Sequence, residues 1–240
     1  MKTFTSILAF LIITTSLNAQ IFTKKIKGNG DLKTESRTIS NFDKIGVAGS
    51  FDVKLKKGKE GSIIIEADEN LMEYIITEVD GDKLKIKTKK GFQLRASKTI
   101  KITVSFSSID AVSLAGSGYI FSEDNINSDN LKLSLAGSGD LNLKVSSNDL
   151  KTSIAGSGNI TLTGNTNIFK ASIAGSGNIN AYELKTEMLK VSIAGSGNAK
   201  VNVINEINAV TTGSGNIYYK GNPKIEKIKS VGSGSIKNKN

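Results

Sequence analysis

The chain has 240 residues, a formal charge of +10 and 38% apolar content, and it contains neither cysteine nor histidine. Length and composition suit a chain that builds a sizeable core. The missing residue types exclude Ser-His-Asp triads, Cys-His pairs, histidine metal centres, disulfide staples and a lipid-bearing cysteine.

Residues 1–19 read as a secretory signal: Lys2 gives a positive start, Ile7 to Ile13 is an unbroken apolar run, and Ser16-Leu17-Asn18-Ala19 offers a small-residue exit. The run is too short for a comfortable membrane span, and no later segment is long and apolar enough to cross a bilayer. The protein is therefore expected to be exported, to the periplasm, the outer surface or the medium, and not as a lipoprotein. Residues 20–36 are expected to be a linker.

Residues 37–110 read as a β-rich but irregular part. Ile63 to Ile65, Leu84 to Ile86 and Ile100 to Phe106 have strand character, and Glu69 to Ile76 is the one helical candidate. Ile45 to Val53 looks like a degenerate copy of the repeat described below, with Phe51 in place of its second glycine. Lys83, Lys85, Lys87 and Lys89 alternate along the sequence, so a strand would place them on one face. A solvated face that deters edge pairing is one reading; an anion-binding stripe for acidic polysaccharide or lipid headgroups is the other.

From Gly116 onward Gly-Ser-Gly recurs seven times, beginning at residues 116, 137, 156, 175, 195, 213 and 232, at intervals of 18 to 21 residues. A single signature at nearly constant spacing is the mark of a solenoid. In one copy Leu150, Thr152 and Ile154 alternate with Lys151 and Ser153 before the glycines, and Ile160 and Leu162 flank Thr161 after them. That is strand, corner, strand, with an apolar inside. Glycine suits a sharp corner because positive φ costs it nothing. Stacked corners align Tyr119, Asp140, Asn159, Asn178, Asn198, Asn216 and Ser235, so the four asparagines are a candidate amide ladder with rungs about 4.8 Å apart. The serines between the glycines stack likewise. Polar stretches such as Asn125 to Asn130 and Gly164 to Asn167 read as loops. The predicted fold is all-β: a single-stranded right-handed parallel β-helix, continuous over 37–110 and 111–240, with an irregular N-terminal cap containing one short helix. Seven coils would span on the order of 30 Å, and the Lys- and Asn-rich end, Ile236 to Asn240, would blunt the far edge.

No catalytic, cofactor-binding or metal-binding residue is nominated, and no cofactor is expected. The glycine-rich corners lead into strands, whereas phosphate-binding loops lead into helices. Asp140 has no companion carboxylates at neighbouring coils, which hold Tyr119 and Asn159, so it reads as a turn residue and not as a calcium ligand. Acids of the repeat region, from Glu123 to Glu226, fall mostly in connectors and never stack at one coil position, which argues against the paired carboxylates of glycoside cleavage. There is no Trp, and Tyr119, Phe121, Tyr182, Tyr218 and Tyr219 are read as packing residues before sugar platforms.

The residues Phe42-Asp43-Lys44-Ile45, Val47-Ala48-Gly49-Ser50-Phe51-Asp52-Val53, Asn70-Leu71 and Gly81-Asp82-Lys83-Leu84-Lys85-Ile86, with reiterated Ala-Gly-Ser-Gly-Asn-Ile, resemble the bacterial head GIN domain family of auto-transporter adhesins. The likeness covers about residues 37–236. It implies a pectin-lyase-like right-handed β-helix without catalytic residues and a role in cell adhesion; it implies no binding residues. Thr211-Thr212 and Ser230-Val231 depart from the usual apolar-Ala pair, so the last coils are expected to be looser. The leading expectation is an exported, non-enzymatic solenoid whose partner is a macromolecule such as a cell-surface component or acidic polysaccharide. A carbohydrate-binding or lyase-like protein and a structural envelope protein are the alternatives. Nucleic acid is not an expected partner, since no aromatic-interleaved recognition module is present.

Overall fold

The computed structural model describes residues 23–240; the expected signal at 1–19 lies outside them. In chain order the irregular part holds β1 (Lys24–Lys27), β2 (Leu32–Thr38), β3 (Lys44–Gly49), β4 (Asp52–Lys57), β5 (Ser62–Asp68), a 3₁₀ turn (Glu69–Tyr74), β6 (Ile75–Asp80), β7 (Lys83–Thr88), β8 (Phe92–Arg95) and β9 (Lys101–Phe106). The repeats hold β10 (Ala111–Gly116), β11 (Tyr119–Gly137), β12 (Asp140–Gly156), β13 (Asn159–Gly175), β14 (Asn178–Gly195), β15 (Asn198–Gly213), β16 (Asn216–Lys220), β17 (Ile225–Val231) and β18 (Ile236–Asn238). The result is a parallel β-solenoid of about 7 turns.

Each full coil is one long bent strand with two walls. The entry wall follows the Gly-Ser-Gly corner, and the exit wall leads to the next one. Entry walls stack as β9, β4, then the first halves of β11 to β15, then β16 and β18; exit walls stack as β7, β3, β10, the second halves of β11 to β15, and β17. All these pairings are parallel and place equivalent repeat positions side by side. Between the walls runs one apolar column. In β12 alone Leu141, Leu143, Val145, Leu150 and Ile154 are at most 2% exposed, each burial stabilising by about 1.5–3 kcal/mol. A lone coil would leave both rims of this column in water, so stability comes from stacking.

The stretches read as loops are instead paired. Asn125 to Ser128 and Asn130 align with the next coil, as do Gly164 to Thr166. Asn, Ser and Gly serve there as corner residues whose side chains bond from rung to rung: Asn167 Nδ2 donates to Asn148 Oδ1 at 2.7 Å, and Ser147 Oγ to Thr166 Oγ1 at 3.0 Å. The described part of the segment expected as a linker, from residue 23 on, contains β1 and the start of β2. β1 pairs parallel with β8, and β2 antiparallel with β5. The helical candidate is the short 3₁₀ turn ending at Tyr74, before the two isoleucines that open β6.

The N-terminal rim is closed by a change of strand direction. β5 runs antiparallel to β9 on the entry wall and β6 antiparallel to β7 on the exit wall, so neither first parallel strand offers a free edge. Asp68, fully buried at the end of β5, gathers the surrounding loops. It accepts hydrogen bonds from Gly30 N and Ser97 N, both at 2.8 Å, and from Ser97 Oγ. Burial pushes its carboxyl pKa upward, but these donors outweigh that and hold it below the usual carboxylate range. At the other end Asn240 folds back on Gly221 and Asn222, while Ile225, Ile228 and Val231 of β17 are 44–50% exposed. The departures at the last corners are tied down: Thr211 Oγ1 donates to Gly215 O at 2.8 Å and Ser230 Oγ to Gly234 O at 2.7 Å.

Both glycines of a corner are required, for different reasons. Gly137 has φ +113, and a Cβ there would lie 2.5 Å from Gly116 O. A Cβ on Gly158 would overlap the Gly139 carbonyl and approach Leu135 Cδ2 to 2.8 Å. Gly158→Ala is therefore expected to cost about 1–3 kcal/mol, whereas Ser157→Ala, on the exposed tip of the same corner, should change stability by less than about 0.5 kcal/mol; urea unfolding of both variants measures the difference. Because the folded state holds Asp68 at a lowered pKa, its contribution is present above the ordinary Asp pKa of about 4 and is lost as pH falls through the folded value. Asp68→Asn should lower the melting temperature at pH 7, and the gap to wild type should close on acidification.

Candidate functional site

The in-register stacking converts each repeat position into a row. At the corner the expected amide ladder is present. Asn159 donates from N (3.0 Å) and Nδ2 (2.8 Å) to Asp140 Oδ1; Asn178 Nδ2 donates to Asn159 Oδ1 at 2.8 Å; Asn198 Nδ2 to Asn178 Oδ1 at 3.0 Å; Asn216 Nδ2 to Asn198 Oδ1 at 3.1 Å. Ser235 Oγ ends the ladder on Asn216 Oδ1 at 2.8 Å. Asp140 is thus the ladder's first acceptor. These half-buried amides spend their polar atoms on one another, which makes the ladder a fastening.

The outward face of the exit wall is different. The motif Lys-x-Ser-x-Ala-Gly-Ser-Gly, present at Lys132, Lys151, Lys170 and Lys190, becomes three parallel rows. The outermost row runs Lys132, Lys151, Lys170, Lys190, each paired with the next across adjacent strands. It is extended by Lys44 and Lys83 beyond Ala111 and by Lys227 beyond Asn208. The middle row is Ser113, Ser134, Ser153, Ser172 and Ser192. Nearest the corner stand Ala48, Ala115, Ala136, Ala155, Ala174 and Ala194, every one exposed. Short side chains on the two inner rows leave a trough of about 800 Å³ along the wall from β7 to β15, floored by alanine methyls, serines and the flanks of Leu114, Leu135 and Ile154, and lined at its β7 end by Lys83, Lys85 and Lys87. A second depression of about 190 Å³ lies among Lys151, Lys170, Lys190, Ser172 and Ser192, between the lysine row and the trough.

Charge along this face is uneven. Lys170 pairs with Asp149 at 2.5 Å and Lys227 with Glu206 at 3.5 Å, but Lys132, Lys151 and Lys190 make no ion pair among the described residues. The alternating stripe on β7 is largely neutralised: antiparallel β6 brings Asp80 to Lys85 and Glu78 to Lys87. Lys83 lies over Gly46, where a side chain would collide with it, and Lys89 sits over the rings of Tyr74 and Phe92 at 5.9 and 5.8 Å. Three of the four alternating lysines, Lys83, Lys85 and Lys87, lie on β7 as the strand reading expects, with Lys89 just beyond it; the larger cationic row, whose signal is a lysine five residues before each of four corners, is not in that reading.

The acids do not converge. The neighbours Glu123 and Asp124 are held on β4, by Lys54 and by Lys57 N, while Glu226 accepts from Tyr219 near the far end. Tyr219 lies in the core, Tyr119 stacks on Phe121 at 5.5 Å, and Tyr182 lies beneath Lys220; none of them lines the trough. No helix among the described residues is long and apolar enough to cross a membrane.

The profile of the family described as "Putative auto-transporter adhesin, head GIN domain" matches residues 41–223. Among solved structures, a "putative adhesin" from Bacteroides fragilis is similar with a TM-score of 0.85 and 26% identity, covering 89% of this chain and 100% of its own. A "putative lipid binding protein" from Parabacteroides distasonis gives a TM-score of 0.77 and 29% identity over 90% of this chain and 100% of its own. A "putative adhesin" from Parabacteroides merdae gives 0.68 and 26% over 90% and 99%. No curated protein matches.

If the amide ladder fastens the coils, Asn178→Ala, which removes one donor and the acceptor of two donors from Asn198, should cost about 1–3 kcal/mol. Chemical denaturation of the variant measures it.

Proposed function

The chain belongs to the head GIN domain family, and from that premise we propose that it is an exported, non-enzymatic surface protein that holds another macromolecule against the outside of its solenoid. The observation that carries this reading is the exit-wall face: rows of identical side chains, repeated over several coils, beside a trough that the fold leaves open. A surface that repeats its chemistry at every rung suits a partner that is itself extended or repetitive. The solved relatives named as adhesins support a surface role. Export is supported by the character of residues 1–19. A non-catalytic role is supported by the dispersal of the carboxylates, several of them engaged with their own neighbours, where acid–base cleavage of a glycan would need two facing one substrate.

Attachment is the readout. A strain lacking the gene should adhere less to host-cell or matrix-coated surfaces, and the wild-type gene should restore it; adherence equal to wild type on every surface tried would contradict the adhesive role.

A further inference from the structure

We propose that the exit-wall trough is a binding site for one extended acidic polysaccharide chain, laid along the solenoid axis with its carboxylates on the lysine row and its sugar faces on the serine and alanine rows. This deepens the surface-binding reading and rests on it.

The first support is electrostatic. Lys132, Lys151, Lys170 and Lys190 occupy directly paired positions on four consecutive strands, about 4.8 Å apart, and like charges set opposite each other oppose folding. Elsewhere the protein offsets such crowding, as with Asp80 and Glu78 beside Lys85 and Lys87. Of these four lysines only Lys170 has a carboxylate partner among the described residues. A ligand with regularly spaced negative charge supplies the missing counter-charge, and a polyuronate carries one carboxylate per sugar, a repeat close to the rung spacing. The second support is shape. The trough of about 800 Å³ is long and concave, and the smaller depression between Lys151, Lys170 and Lys190 joins it to the charged row. Sugar rings present both C–H faces and hydroxyls, which match alanine methyls and serine oxygens side by side. The serine hydroxyls donate within the wall, Ser153 Oγ to Ser134 Oγ at 3.3 Å, Ser113 Oγ to Ile45 O at 3.2 Å and Ser172 Oγ to Thr152 O at 3.5 Å, and each hydroxyl oxygen retains acceptor capacity for a sugar hydroxyl.

Other anions fit less well. A bilayer would meet the lysine tips but not enter a concavity. An extended acidic peptide needs partners for its backbone amides, and on this face the sheet's own backbone groups are already paired rung to rung. Single-stranded nucleic acid wants aromatic stacking platforms, and none lines the trough.

Purified protein is tested by biolayer interferometry against immobilised polygalacturonate, with neutral dextran and vesicles of phosphatidylglycerol and phosphatidylcholine as comparators. Wild type should bind polygalacturonate in preference to dextran and to vesicles, and the affinity should fall as salt rises. The triple variant Lys132→Gln, Lys151→Gln, Lys190→Gln should bind about ten-fold more weakly while melting no lower than wild type, since a repulsive row has been relieved. Ala155→Leu, which fills the trough floor, should weaken binding with the lysines intact, whereas Lys24→Gln with Lys25→Gln, exposed on β1 and outside both depressions, should leave it within about two-fold. No binding by wild type, equal binding of dextran, binding of vesicles alone, or an unchanged triple variant would overturn the proposal. The two readings separate cleanly: lost adherence on gene deletion without polyuronate binding refutes this ligand alone, and polyuronate binding with unaltered adherence refutes the adhesive role alone.

Discussion

The close approach of backbones at the Gly-Ser-Gly corner governs everything else in this molecule. Gly137 and Gly158 each stand where a Cβ would run into the carbonyl of the coil before, and the corner amides of Ser157 and Gly158 both donate to Gly137 O, at 2.9 and 3.0 Å. That carbonyl is reached only because nothing intervenes. With the corner seated, every later residue of the coil is indexed to its counterpart, since a shift by one residue would turn the apolar row outward.

Indexing makes residue choice collective. An apolar residue repeated at an inward position becomes part of a continuous core, and an asparagine repeated at the corner becomes a ladder in which each amide gives and receives. A lysine repeated at an outward position becomes a line of like charge, which stacking penalises. The protein accommodates such lines where it has carboxylates to set against them, at β6 and at Asp149 and Glu206. Lys132, Lys151 and Lys190 stand apart from those offsets, in the row beside the long trough that the short serine and alanine rows create. The ladder and the trough thus come from the same repetition, one facing its own chain and the other facing outward.

Much of the repeat region was legible because local chemistry and register coincide there. The glycine spacing implied parallel coils, the residue after each corner implied the amide ladder, and Phe51 stood as expected at the second corner position, with its carbonyl accepting from Tyr119 N at 2.9 Å. Legibility failed where a residue's role is decided by a distant partner. The pairing of Lys24–Lys27 with Phe92–Arg95 leaves no local trace in four residues. Asn125 to Asn130 reads as loop because side chains that suit turns also suit a stacked corner. The alternating lysines of β7 looked like a free cationic stripe until the hairpin returned Glu78 and Asp80 beside Lys87 and Lys85, and the larger lysine row, in which Lys170 alone of four makes an ion pair among the described residues, is spread over four repeats, visible as a face only once they are stacked.

Register between coils is therefore the claim on which both the fold and the proposed ligand face stand, and the absence of native cysteine makes it directly measurable. Ser134→Cys with Ser153→Cys places two thiols on adjacent rungs, about 4.8 Å apart at Cα, within the range a disulfide spans; Ser134→Cys with Ser172→Cys places them two rungs apart and beyond it. Mild oxidation of the monomer should close the first pair and leave the second reduced. Equal closure of both pairs, or closure of the second alone, would contradict in-register stacking.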